Sequence, residues 1–470
     1  MTVIIALFVK TDFINFVLIF HHAVLLTFIF FACIIYIKEI HIEISKGECH
    51  VKITYKKTVS VKGEYDVAVV GGGVAGCAAA LSAAREGKKV ILFEKGVSLG
   101  GLATLGLINL FVPVCNGEGT QIIYGMCEEF LKDSIEYGYD TLPEVWADGE
   151  PKSPTKVRKF TKFDAPIFSL VLLNKLHDAG VEVCFDTIIT DAVTNDGLCE
   201  AVIVENKSGT SCYKAKIFVD SSGDADLLNR AGVPTVTGKN YHSYLSRAVT
   251  LDGCKNAVMS NDISKAVSSR VPEVFASLYG DGHPESIPMY NATDADDVNR
   301  YLISNQLELL DAIKNDSRKS RTLTMLPSMP QFRTSRRIDG DATLNAERDA
   351  YKHFDDSIAA INDFDRRDFL YEVSYRMLVR TGFDNIIAAG RCTSGEGYGW
   401  DLLRVIPVAI ITGQVAGLAS AQKIDTSVPI YSIDVPSLQN KLISKNVKIH
   451  FDDSLIPDVI ESVKVDVGEL

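Results

Sequence analysis

Gly71, Gly73 and Gly76 stand in Val69-Val70-Gly71-Gly72-Gly73-Val74-Ala75-Gly76, and Glu94 follows 23 residues after Gly71. These types at this spacing can hold a dinucleotide through its pyrophosphate and ribose. Gly71 permits a tight turn, Gly73 lets the backbone approach phosphates, and Gly76 lets a helix pack closely on a sheet. The start of that helix would face the negative charge. Glu94 closes the apolar run Val90-Ile91-Leu92-Phe93, where a carboxylate can accept hydrogen bonds from ribose hydroxyls, and Lys95 follows it. A lone glycine motif could be a chance turn; the flanking strands and the acid together favour the dinucleotide.

A second set of side chains could handle a substrate. Arg333, Arg336 and Arg337 form a basic cluster able to bind a carboxylate, since the guanidinium fork matches it bidentately. The alternative is a set of salt bridges with Asp339 and Asp341. Tyr398 and Trp400 could wall a pocket, while Glu396 or Asp401 could move a proton, although each alone is more commonly structural. His242, His283 and His353 are isolated, and Tyr375-Arg376, on an expected strand, could reach the same pocket. The ten cysteines are scattered without CxxC pairs, so no zinc or iron–sulfur site is expected, nor any other metal.

These residues need elements to carry them. Strand, glycine turn, helix and strand account for residues 67–94, and Ser98-Leu99-Gly100-Gly101-Leu102 reads as a loop over the cofactor. Helices are expected over Gln121–Tyr137 and Ile167–Ala179, then strands at Val181–Phe185, Thr187–Val193, Ala201–Glu205 and Ser211–Val219, the last three a small meander. The final strand runs into Asp220-Ser221-Ser222-Gly223-Asp224, where Gly223 and Asp224 could approach the cofactor, or Asp224 or Asp226 could cap a helix. After a mixed stretch from Thr235 to Val379, an apolar strand ends in Ala389-Gly390-Arg391-Cys392. A helix follows from Arg404 to Gly417, with Pro407 in its first turn and small residues on one face.

Length and charge set the remaining bounds. At 470 residues and net charge −12, with no long basic stripe, the chain is a large acidic protein for which nucleic acid is a poor partner. Residues 13–37 are almost wholly apolar and long enough to cross a bilayer. Lysines 38, 46, 52, 56 and 57 follow, placing the large domain on the cytoplasmic side of such an anchor. Either this segment is a membrane anchor, or residues 1–50 are a non-native extension and the protein begins near Val51, where Val51–Tyr55 reads as an edge strand. The expected fold is α/β: a Rossmann-like dinucleotide-binding domain with a β-meander (51–234 and 380–425), an inserted α+β substrate domain (235–379) and a C-terminal extension (426–470).

The four blocks together resemble the FAD-dependent oxidoreductase family related to the flavin subunit of heterodisulfide reductases and to fumarate-reductase-like flavoproteins, over Val51 to Ala421. The resemblance implies bound FAD, with adenine and ribose in the first unit and the flavin ring over the start of the C-terminal helix. Gly71, Gly73, Gly76, Glu94, Lys95, Gly100, Gly101, Gly223, Asp224, Gly390, Arg391, Arg404 and Pro407 would then contact or position the cofactor. Arg404 and the helix start would stabilise the reduced flavin; the alternative for Arg404 is a salt bridge with Asp401 or Glu396. Arg404, Arg333, Arg336 and Tyr398 are the catalytic candidates. The chain departs from the family in lacking cluster cysteines, a second nucleotide motif, and histidines in Thr393–Asp401. Two functions follow: an FAD-linked dehydrogenase or reductase of a small organic substrate, or a membrane-tethered electron carrier to a protein or quinone.

Overall fold

The computed structural model describes residues 40–45, 48–53, 56–277 and 279–458. The expected transmembrane helix at 13–37, and with it the membrane partner, lies outside the described residues. Among these residues no single helix is long and apolar enough to cross a membrane. Two compact units divide the chain, residues 1–59 and residues 60–470. In the first, β1 (Ile40–Ser45) pairs antiparallel with β2 (Glu48–Ile53). Residues 54–55 lie outside the described residues, and 51–53 form a strand, as expected from sequence. Their ladder partners come from the segment just before them.

The second unit is built on a seven-stranded sheet. β3 (Val61–Val70) leads into helix α1 (Val74–Arg85) and then β4 (Val90–Phe93). Val67 to Val70 and all of β4 are buried, as parallel strands covered on both faces require. α2 (Met126–Glu136) starts five residues later than its apolar spacing suggests, because Gly125 at φ 63° sits outside the helical region. In α3 (Ala165–Asp178), Asp164 caps the helix by accepting a hydrogen bond from the Ile167 N–H at 3.0 Å, and Pro166 occupies the first turn.

β5 (Glu182–Cys184) joins the outer edge of β4, and the meander follows as β6 (Ile188–Asn195), β7 (Leu198–Asn206) and β8 (Gly209–Asp220). Asp196 and Gly197, at φ 46° and 79°, make the tight turn between β6 and β7. β8 serves both parts of the sheet. Its first half pairs antiparallel with β7, while its length runs parallel to β3 and its end parallel to Ile386–Ala388.

Past β8 come the short helix α4 (Asp226–Arg230), β9 (Arg336–Ile338), a buried hairpin of β10 (Ser357–Asn362) and β11 (Leu370–Ser374), and β12 (Ile386–Ala388). Two helices close the unit: α5 (Tyr398–Arg404) and α6 (Ile406–Thr426), bent by 70° at Val405. The apolar run of α6 belongs to a core helix, buried from Pro407 to Gln422. Its small-residue face lies on α1, where a Cβ on Gly413 would stand 2.1 Å from the Ala75 carbonyl oxygen and one on Gly417 2.4 Å from that of Ala79. The same core takes in Ile358, Tyr371, Val373 and, from α7 (Val435–Ser444), Leu438 and Leu442.

Candidate functional site

Register places the chemistry-bearing turns side by side. Val70 lies opposite both Phe93 and Asp220, and Asp220 opposite Ala388, so Gly71, Glu94, Ser221 and Ala389 all emerge at one carboxyl edge of the sheet. Open α/β sheets hold ligands in this crevice. A cavity of about 310 Å³ opens there, lined by Gly71, Gly73, Glu94, Lys95, Gly100, Gly101, Gly223, Gly390, Arg391 and Arg404 among others.

The glycines have distinct duties. Gly71, at φ +98°, crosses the end of β8 so closely that a Cβ would stand 2.6 Å from the Ser221 carbonyl oxygen. A Cβ on Gly76 would stand 1.9 Å from the Gly71 carbonyl oxygen, so this glycine seats α1 against the turn itself and does not line the cavity. On Gly73 a Cβ would meet nothing within 4 Å. It caps α1 with no side-chain hydrogen bond and faces the cavity. Gly100 is bridged to the first glycine turn, its N–H donating to the Gly72 carbonyl at 2.8 Å, and Gly101 begins a single tight helical turn at φ +56°.

Glu94 is buried, its Oε2 accepting from the Gly72 N–H at 2.7 Å and its Oε1 from the Gly96 N–H at 2.6 Å. A carboxylate has about four lone-pair directions, so both oxygens retain capacity toward the cavity. Behind the cavity-lining Ser221 and Ser222, Asp220 is fully buried; burial pushes its carboxyl up, against bonds from the Leu228 N–H and from Ser222. Ser222 Oγ in turn accepts from the Asp226 N–H at 3.0 Å, so Asp220 and Ser222 organise the start of α4, where neither Asp224 nor Asp226 caps with its side chain.

Asp224 does not line the cavity but pairs with two residues that do, Arg391 at 2.8 Å and Lys95 at 3.7 Å. Arg391 also donates to the Phe332 carbonyl, and its own carbonyl accepts from the Trp400 indole at 2.9 Å. Pro407 is buried behind Ile406 and Ala409, the α6 residues that reach the cavity. Arg404 combines both of its expected positions: it lines the cavity and is paired with Asp401 at 2.6 Å.

The expected arginine cluster is dispersed. Neighbouring residues of a strand point to opposite faces, and β9 sends Arg336 to Asp226 at 2.9 Å and buries Arg337 against Ser394 and the Trp400 ring. Neither Asp339 nor Asp341 pairs with the three; Asp339 lies 3.6 Å from Arg380, and Asp341 accepts from Thr381. Arg333, ahead of the strand, faces a second cavity of about 550 Å³ with Lys239, Tyr241, Tyr398, Trp400 and Asp401. Its guanidinium donates to the Ser277 carbonyl at 2.8 Å, and among the described residues no carboxylate pairs with it directly. Burial, then repulsion from Arg404, brings it down to about 10, which leaves it charged at neutral pH.

Tyr398 donates to Asp363 Oδ1 at 2.7 Å, and burial together with that carboxylate raises the phenol far above its ordinary range. Glu396 lies outside both cavities, bonded to Asn345. Tyr375 and Arg376 sit in a tight turn past the end of β11, committed to the Ile430 carbonyl and to Asp356, and do not reach either cavity. His242 is buried between Tyr290 and Glu308, and His283 accepts from the His242 N–H at 3.0 Å. His353, isolated in sequence, stands beside Glu372. Ser328, Met329 and Pro330 in the first cavity, and Lys239, Tyr241 and Arg366 in the second, are brought in by tertiary folding and carry no local signal.

A family model described as FAD dependent oxidoreductase matches residues 66–300 and 282–442. The chain belongs to this family. It is an FAD-dependent oxidoreductase, an enzyme whose cofactor is FAD, as the sequence resemblance implied. Over 217 residues it is 25% identical to a digeranylgeranylglycerophospholipid reductase of Methanoculleus marisnigri, covering 43% of this chain and 51% of that protein. Over 110 residues it is 36% identical to a thiamine thiazole synthase of Desulfosudis oleivorans, covering 23% and 39%. The chain spans about half or less of the length of these curated relatives. Among solved structures, p-nitrophenol 4-monooxygenase of Pseudomonas putida superposes with a TM-score of 0.44 at 14% identity, covering 84% of this chain and 91% of that one. The first cavity suits the family's cofactor on its own chemistry: an uncapped helix start, an open position at Gly73, and a buried carboxylate with spare acceptor capacity.

Proposed function

We propose that this enzyme oxidises or reduces a small organic acid whose carboxylate docks on Arg333 in the second cavity, next to FAD held in the first. The observation carrying this reading is Arg333 itself: a half-buried, charged guanidinium facing the second cavity, with backbone and hydroxyl partners and, among the described residues, no carboxylate in direct contact. Partial desolvation of such a cation costs free energy that an arriving negative partner offsets. α5 joins the two cavities, because Asp401 lines the second and Arg404 the first.

Under this reading Glu94 accepts from the ribose hydroxyls, and the Gly71–Gly76 turn with the start of α1 receives the pyrophosphate. Gly223, Gly390 and Arg391 bound the cofactor opposite. When bound, FAD supplies electron-pair transfer through its flavin N5. Arg333 binds and orients the acid. Tyr398 keeps its own proton, donated in a hydrogen bond to Asp363, so it walls the second cavity and accepts hydrogen bonds; it does not abstract a proton. Arg336 acts at a distance from the acid, fixing Asp226 and the Asp224 carbonyl at the edge of the cofactor cavity. Arg404, held by Asp401, borders the cofactor cavity beside the α6 start, whose partial positive charge favours an anionic group there. Within the second unit, residues 60–234 and 380–425 form the cofactor-holding part and 235–379 the substrate-holding part, with the β10–β11 hairpin packed into the core of the first.

The test is anaerobic mixing of the flavin-loaded enzyme with a panel of small carboxylic acids and their neutral amides. Bleaching of the oxidised flavin, or recolouring of flavin reduced beforehand, by an acid but not by its amide is expected. Equal bleaching by both, or reduction by a quinol or protein donor alone, would overturn the assignment.

A further inference from the structure

Away from both cavities, three side chains from distant parts of the sequence converge on one point. Glu372 on β11 is fully buried, and its Oε1 lies 2.5 Å from His353 Nδ1 and 2.8 Å from His450 Nδ1. The three donor atoms lie within 4.8 Å of one another. We propose that His353, Glu372 and His450 form a zinc-type divalent metal site that clasps the segment after α7 onto the β10–β11 hairpin.

The donor set is the first argument. Two imidazole nitrogens and one carboxylate oxygen are a recognised zinc triad, and zinc sits about 2.0–2.2 Å from such ligands. Ligands held at these lengths around a tetrahedral ion stand about 3.4 Å apart, so the two imidazoles, both about half exposed, release their Nδ1 protons and swing a little away from Oε1 to admit the ion. The surroundings give the second. His353 presents its other nitrogen, Nε2, to Asp453 Oδ1 at 2.8 Å, and the Phe451 ring stacks on it at 4.4 Å between centroids. A carboxylate behind a metal-binding histidine fixes its ring and tautomer. Glu372 Oε2 is likewise occupied, accepting from the Phe354 N–H at 2.7 Å, so Oε1 is left as the ligand atom. Both histidines are about half exposed, which gives an ion a route from solvent to the buried carboxylate.

The location assigns the role. Neither cavity includes any of these residues. The segment carrying His450 is already docked on β10, with Ala360 N–H donating to the Lys448 carbonyl at 2.7 Å and Ser357 Oγ to that of Ile449. Glu372 follows Tyr371, whose hydroxyl accepts from Arg366 of the second cavity. The ion therefore stabilises the fold and stiffens one wall of that cavity without touching the reacting atoms.

Flavin-loaded, chelator-treated full-length protein is titrated with Zn²⁺ by calorimetry, and the zinc environment is read by X-ray absorption. One saturable equivalent is expected, with a nitrogen and oxygen shell showing two imidazoles and a rise in Tm. H353A and H450A each weaken binding at least about tenfold, and zinc raises the Tm of each variant, measured against that variant's own metal-free Tm, far less than it raises that of the parent. Absence of saturable binding, a sulfur shell, or full affinity in both variants would overturn the proposal.

Discussion

Two alanine substitutions separate the duties of the glycine fingerprint. At Gly73 the backbone already has φ −66° and ψ 174°, ordinary for any residue, and the added methyl meets nothing within 4 Å. Gly73→Ala should therefore change apoprotein stability by no more than about 0.5 kcal/mol. The methyl does enter the space where the backbone must approach the cofactor phosphates, and FAD affinity is expected to fall about 10- to 100-fold, or about 1.4–2.7 kcal/mol. At Gly76 the methyl would lie 1.9 Å from the Gly71 carbonyl oxygen. An ordinary carbon–oxygen contact is about 3.3 Å, so α1 must retreat by more than about 1 Å. Overpacking of this kind costs about 1–3 kcal/mol, which lowers the Tm of the apoprotein as well as FAD affinity. Calorimetry of the two apoproteins and fluorescence titration with FAD measure both quantities. If Gly73→Ala bound FAD as tightly as the parent, or destabilised the apoprotein as much as Gly76→Ala, the reasoning would fail.

Glu94→Ala strands the buried Gly72 N–H, a loss of about 1–3 kcal/mol, and takes the acceptor from the half-buried Gly96 N–H; thermal melts should show a clear loss even without FAD. Asp224→Ala leaves the Arg391 guanidinium, 8% exposed, without its carboxylate, and a loss of about 3–5 kcal/mol in denaturant unfolding is expected, with Asp224→Asn recovering part of it. Burial opposes ionisation of Glu129, but hydrogen bonds from Arg85 and Lys175 overcome it and hold the carboxyl at about 2 instead of 4.5. Its contribution is complete above the unfolded value and fades as pH falls toward 2. The stability gap between parent and Glu129→Gln should thus be full at neutral pH and close across pH 4.5 to 2, and a gap constant over that range would contradict this.

What the sequence made legible was local. The first strand–turn–helix–strand unit could be read because its glycines, apolar runs and acid lie within one short stretch, and the start of α6 because Pro407 and a small-residue face mark it. The end of β11 was misread since the apolar pattern through Val373 and Tyr375 imitates a continuing strand, whereas the chain turns at Ser374 to commit Tyr375 to Ile430. The arginines misled for a geometric reason: proximity in sequence suggested one cluster, but strand alternation separates Arg336 from Arg337, and only Arg333 faces the second cavity. His353 and His450 lie 97 positions apart, and nothing near either one points to Glu372.

The central claim is that Arg333 receives the substrate carboxylate beside a normally held flavin. Stopped-flow reduction of flavin-loaded parent and Arg333→Gln by the acid found in the panel tests it directly. The account predicts equal flavin content in both proteins and a saturation constant for the acid raised at least tenfold in the variant, with reduction by dithionite unchanged. Saturation of the variant at the same acid concentration as the parent would contradict it.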